Sequence, residues 1–168
     1  MFISDHCSPN PQTTRQAQRC GTSSIALTKL PIKNYSEVEQ YIKELKEKVK
    51  RLGLDEYYGW YLGTTYGTQS DEILQLTDKY AAHTPEAALA CAEVLYGIHR
   101  EFVVSASDFF VRRTGRIFFD INSIPQIREH VMRILQVELR WTDDRLTQEN
   151  HILDSLLKDA SSYYSKEK

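Results

Sequence analysis

Only seven glycines and five prolines punctuate the 168 residues of this chain. So few breakers cannot supply the turns of a many-stranded sandwich or barrel, and they favour long helices joined by short connections. The apolar spacing agrees. Val38, Tyr41, Ile42, Leu45, Val49 and Leu52 recur at helical intervals behind Ser36 and Glu39, a capping-box pair three residues apart. Gly53 supplies a left-handed stop. Asp55 opens a second helix that carries Trp60, Tyr61 and Leu62 and closes at Gly67, and a short helix follows from about Asp71 to Thr77.

Thr84-Pro85-Glu86 combines an N-cap hydroxyl, a first-turn proline and an acid at the positive end of the helix dipole. The helix it starts is alanine-rich, with a stripe of Ala88, Cys91, Ala92, Leu95, Ile98 and Phe102. Its small side chains permit close approach of neighbouring helices. Ser107 and Asp108 begin a helix with Phe109, Phe110 and Val111 that breaks near Gly115. Ser123-Ile124-Pro125-Gln126 reads as another capping box, ahead of Ile127, Val131, Ile134, Leu135 and Leu139. Thr142 caps a last helix striped by Leu146, Leu153, Leu157, Ala160 and Tyr164. No run with period-two alternation competes. The expectation is an all-α bundle of six to seven helices over residues 34–165.

Residues 1–33 read differently. Ser4 to Thr28 is rich in Ser, Thr, Gln, Asn and Pro and cannot bury enough surface to offset its ordering entropy. This segment is expected to be a flexible tail or an interdomain strap, the latter through the apolar stretch from Ile25 to Ile32. Ser165 to Lys168 reads as a polar, frayed end.

Composition removes several function classes. A formal net charge of −2 gives no general attraction to nucleic acid or an anionic membrane. No apolar run approaches the roughly 20 residues needed to span a bilayer, and Met1 to Asn10 lacks the basic and apolar regions of a signal peptide. Cys7, Cys20 and Cys91 are an odd set without a CxxC pair, which points to reduced thiols in the cytoplasm. The five histidines show no HExxH or other ligand spacing, so no metal is expected; each reads as a surface or satisfied histidine, with pairing of His99 to an acid inside the bundle as the lesser alternative. Asp120-Ile121-Asn122 resembles the start of a calcium loop but lacks its glycine and terminal glutamate. GxGxxG and the phosphate-loop motif are both absent, and Gly63 and Gly67 follow no strand, so no cradle for a dinucleotide is expected.

Charged candidates remain. Arg112, Arg113 and Arg116 place three guanidinium groups within five residues, between Phe109-Phe110 and Phe118-Phe119. One reading is an exposed anion or nucleic-acid contact. The other has these arginines bonding helix-end carbonyls and acids such as Asp108, Glu101 or Asp120. Glu93, Glu101 and Asp143-Asp144 invite a paired-carboxylate hypothesis, but first-turn acids are explained by the helix dipole. No nucleophile, base and orienting group assemble into a catalytic set, and no catalytic residue is assigned.

The run TPEAALACAEVLYGIHREFVVSASDFFVRRTGRIFFD, from Thr84 to Asp120, resembles the C-terminal domain of bacterial FAD-dependent glycerol-3-phosphate dehydrogenases. In that family an alanine- and glutamate-rich helix precedes a segment of Asp, Phe, two hydrophobic residues and Arg-Arg-Thr, then a Phe-Asp turn. Glu101, Asp108, Phe109, Arg112, Arg113, Thr114 and Asp120 stand at the matching positions. VELRWTDDRLTQENHIL is similar to the family's closing segment, and Tyr66, Gly67, Asp71, Ile73 and Leu74 to an upstream signature. Val103-Val104-Ser105 departs from the usual Met or Ala.

The resemblance implies an N-terminal FAD and substrate domain that oxidises sn-glycerol 3-phosphate to dihydroxyacetone phosphate, with electrons passing to a quinone or oxygen. This chain would be the helical domain packed beside it, holding no FAD itself. Glu101, Asp108, Arg112, Arg113, Thr114 and Asp120 would be structural. The partner would be that FAD domain, with homodimers possible and membrane association only through the full enzyme. The alternative is a small helical nucleic-acid or protein interaction module that uses Arg112, Arg113 and Arg116.

Overall fold

A computed structural model describes residues 34–164. Within them lie α1 (Tyr35–Arg51), α2 (Glu56–Tyr66), α3 (Ser70–Thr77), α4 (Pro85–Glu101), α5 (Arg116–Phe119), α6 (Ile124–Glu138) and α7 (Asp143–Tyr164). A π-helical segment, Asp108–Arg113, and 3-10 turns at Gly67–Gln69, Asp78–Tyr80 and Ile121–Ser123 fill the connections. There is no strand among the described residues. The proposed tail, the Ile25–Ile32 stretch, Cys7, Cys20 and the last four residues lie outside them.

Local signals set most boundaries. Asp55 accepts from Tyr57 N at 2.8 Å, and Thr84 Oγ1 from Ala87 N at 3.3 Å. Thr142 Oγ1 accepts from Arg145 N at 3.2 Å, and Gly53 ends α1 at φ 80°. Two caps differ from expectation. At α1 the cap is Asn34, extended at φ −153°, whose side chain accepts from Glu37 N at 3.0 Å. Ser36 is already inside the helix, because an Asn34–Glu37 pair starts it two residues earlier. At α6, Ser123 is helical at φ −75°, ψ −25° and caps nothing. Its hydroxyl donates back to Asp120 O at 2.9 Å, since a 3-10 turn runs straight into α6 and denies Ser123 the extended backbone that a cap requires.

Packing centres on α4. Every residue from Ala87 to Gly97 is buried, so this helix is apolar on all sides rather than along one stripe, as befits a rod inside a core. Leu89, Ala92 and Tyr96 belong to one cluster with Leu45 and Val49 of α1, Leu62 of α2 and Ile73 of α3. Ala90 and Val94 belong to a second with Phe109, Phe110, Ile127, Leu135 and Leu153. Each fully buried Leu, Ile or Phe is worth about 1.5–3 kcal/mol, and α4 contributes to both sums.

Phe102 does not extend the α4 stripe. It takes φ 58° and is 87% exposed, turning the chain so that Val103 N reaches Gly97 O at 3.0 Å and the Val103 side chain enters the core. No helix among the described residues is long and apolar enough to cross a membrane. Cys91 is a buried free thiol, and burial pushes it up to about 11, which suppresses thiolate reactivity.

Candidate functional site

The segment from Glu101 to Asp120 is held by its own charges. Asp108 N donates to Ser105 Oγ at 3.1 Å and Val104 N to Asp108 Oδ2 at 3.2 Å, and the Asp108 carboxylate pairs with Arg112 one turn on. Burial works against the Asp108 charge, yet Ser105, Arg112 and the Val104 N–H outweigh it and hold the carboxyl below its usual range. Arg113 Nη2 donates to Glu101 O, the terminal carbonyl of α4, at 2.5 Å. Thr114 closes the π turn: its N–H and Oγ1 both bond Phe109 O, at 3.0 and 2.8 Å. Gly115, at φ 62°, then redirects the chain into α5. Across from this segment, Glu149 of α7 accepts from Ala106 N at 2.9 Å and pairs with Arg145 at 2.5 Å, so α7 caps the π-helical stretch from outside.

That redirection puts Arg116 inside the protein. Arg116 is 4% exposed, and its Nη2 lies 2.5 Å from Glu93 Oε2 on α4, itself 1% exposed. The other Glu93 oxygen accepts from Tyr61 OH at 2.7 Å and Tyr66 OH at 3.1 Å. Arg116 Nη1 reaches Ser123 Oγ at 3.4 Å and Asp120 Oδ2 at 3.5 Å, while the guanidinium lies 5.6 Å from the Tyr61 ring centre. Burial pulls the Arg116 guanidinium down, but the Glu93 charge beside it raises it overall. The guanidinium therefore stays charged throughout the physiological range.

Burial, with Glu93 next, drives the hydroxyls of Tyr61 and Tyr66 far above their ordinary value of 10.0. Each is a group the fold keeps neutral, so its stabilisation is complete below about pH 10 and is lost as pH rises beyond it. The urea midpoint should be flat from neutrality to about pH 9 and then fall steeply, with Tyr66→Phe blunting the fall. A midpoint that holds through the alkaline range would show that these hydroxyls are solvated.

The six family-motif positions, Glu101, Asp108, Arg112, Arg113, Thr114 and Asp120, thus lie along one segment that runs from the end of α4 to the residue after α5. Arg112 and Arg113 bond the partners that the second reading of the cluster foresaw. Arg116 corrects the exposed three-arginine face required by a nucleic-acid module, because it is buried and committed to Glu93. His99 meets Glu138 at 3.2 Å on the surface, as the favoured reading of a satisfied surface histidine expects, and not inside the bundle. Glu93, Tyr61 and Tyr66 were missed as partners. The available signal was a lone acid within the apolar run Ala87 to Gly97, since a charge there requires a counter-charge.

Beside the pair, α2 and the Arg112–Asp120 stretch enclose a groove of about 460 Å³. No cluster of three or more His, Cys, Asp or Glu side chains suited to a metal occurs among the described residues. With no strand and no glycine-rich loop feeding a helix, the described residues do not fit a dinucleotide.

Fold and site together define an all-helical domain whose described residues are pinned by a buried ion pair. Residues 26–146 match the family described as the C-terminal domain of alpha-glycerophosphate oxidase, and the chain belongs to that family. It is similar to the glycerol-3-phosphate dehydrogenase from Bacillus halodurans, solved in complex with FAD, at 30% identity and a TM-score of 0.62, over 73% of this chain and 25% of that one. The aerobic glycerol-3-phosphate dehydrogenase of Staphylococcus saprophyticus is 24% identical over 128 residues, 74% of this chain and 23% of the relative. That of Staphylococcus aureus strain USA300 is 22% identical over 142 residues, 84% and 26% respectively. The chain spans about a quarter of the length of these relatives.

Proposed function

We propose that this chain is the helical C-terminal part of an FAD-dependent glycerol-3-phosphate dehydrogenase and packs beside a body that converts sn-glycerol 3-phosphate to dihydroxyacetone phosphate. The observation that carries this reading is the family match over residues 26–146 in a chain that covers about a quarter of its relatives' length. FAD, held by the larger body, would supply the hydride acceptor, and electrons would pass on to a quinone. This chain's own residues hold the helices in place. Glu101, Asp108, Arg112, Arg113, Thr114 and Asp120 act as structural groups that fix the segment from the end of α4 to the end of α5.

On the same reading, residues 34–165 form the domain and residues 1–33 a tail or strap. The assembled enzyme works in the cytoplasm and meets the inner membrane only peripherally, and homodimers form through the assembled enzyme.

The full chain, purified after incubation with excess FAD, should retain no stoichiometric flavin and should not oxidise glycerol 3-phosphate. A purified sample with one flavin per chain would overturn the proposal.

A further inference from the structure

The groove between α2 and the Arg112–Asp120 stretch has walls unlike an ordinary solvent face. Tyr57 and Trp60 on α2 are each about half exposed, and Phe118 and Phe119 on α5 are 58% and 85% exposed; all four line the same concavity. Large apolar side chains gathered around one depression mark a surface made to be covered. Arg112, Arg113 and Arg116 also line the groove, each already paired with an acid, Asp108, Glu101 and Glu93 in turn.

Arg116 adds a second, independent sign. Its Nε is the buried side-chain polar atom among the described residues that lacks a hydrogen-bond partner. Buried donors are nearly always paired, and an unmade bond to a charged group is costly. The groove is therefore complementary to a polypeptide segment with an apolar side chain for the aromatic walls and an acceptor, carboxylate or main-chain carbonyl, for the Arg116 Nε.

We propose that this groove is the seat of the flavin-bearing body, which enters it through a segment carrying an apolar anchor and a hydrogen-bond acceptor. This rests on the function proposed above. About three quarters of each relative lies outside the region that this chain matches, so a large body is available to cover one face of the domain. The aromatic, arginine-rimmed groove is the face whose chemistry calls for it. Such sites concentrate binding energy in buried Trp, Tyr and Arg anchors.

The probe is the Bacillus halodurans dehydrogenase shortened to end before the matched region and used as a preparation that carries stoichiometric flavin. Mixed with the full 168-residue chain, it is followed by flavin absorbance in sedimentation velocity. The wild-type chain should co-sediment with the flavin. Trp60→Glu and Phe118→Glu, both on exposed positions, should weaken that association at least about tenfold, whereas Val137→Glu, an exposed apolar position on α6 outside the groove, should not.

Circular dichroism confirms that each variant is folded. Co-sedimentation of the groove variants at wild-type strength would overturn the groove assignment and leave the proposed function standing. A wild-type chain that never carries flavin with it would overturn both. Self-association of the chain that the groove variants abolish would make a second copy the occupant and likewise overturn the proposal.

Discussion

Replacing Glu93 by alanine is expected to destabilise the domain by about 3–5 kcal/mol, read as a lowered urea midpoint at neutral pH. The size follows from what is left behind. Arg116 would remain buried and charged without its partner at 2.5 Å, and the hydroxyls of Tyr61 and Tyr66 would lose their acceptor. An exposed pair offers the contrast: Arg100 and Glu72, with side chains 60% and 45% exposed, contribute about 0–1 kcal/mol because water screens them.

A buried pair is costly to break yet not costly to replace. Glu93→Leu combined with Arg116→Met should therefore recover the part of the loss that comes from the stranded charge, leaving the cost of the Tyr61 and Tyr66 hydroxyls without their acceptor. A single-substitution cost below about 1 kcal/mol would mean that water reaches the pair.

The second large effect is expected at Gly59, where α1 and α2 touch backbone to backbone. A Cβ there would stand 2.6 Å from both the N and Cα of Lys46, atoms that cannot swing aside. Gly59→Ala should gain about 1 kcal/mol of helix propensity and lose more through forced separation of the two helices, for which overpacking costs of about 1–3 kcal/mol or above are usual. Gly63 is the internal control, because its Cβ would meet the Ile42 side chain at 3.0 Å, a group able to adjust. Thermal melts should rank Gly59→Ala well below Gly63→Ala. Equal melting temperatures would contradict the close crossing.

Helix positions were legible because their signals are local. Asp55, Thr84-Pro85, Thr142 and Gly53 act within one turn of themselves, and their backbone partners are fixed by chain geometry. Asp108 with Arg112 was legible for the same reason, being one turn apart. The start of α1 was misread because Asn34–Glu37 and Ser36–Glu39 offer the same signature two residues apart. The π-helical segment left no trace, since an apolar pattern that serves an α-helix serves a wider turn equally well. All-round burial of α4 was missed because alanine suits either a stripe or a core.

The pair of Glu93 and Arg116 required tertiary knowledge. The two lie 23 residues apart, and only the turn at Gly115 swings the arginine inward while its neighbours Arg112 and Arg113 stay at the surface. Three arginines that look alike in sequence therefore have two different fates.

The placement of α4 decides how the domain comes apart. Because this one rod is shared by both apolar clusters, exposing either of them strips contacts from the other, and a half-melted intermediate would gain little entropy for the surface it uncovers. The described helices are therefore expected to unfold as a single cooperative unit, in which damage at α7 is felt at α1. A domain of this kind gives any body docked on it a rigid, all-or-none footing.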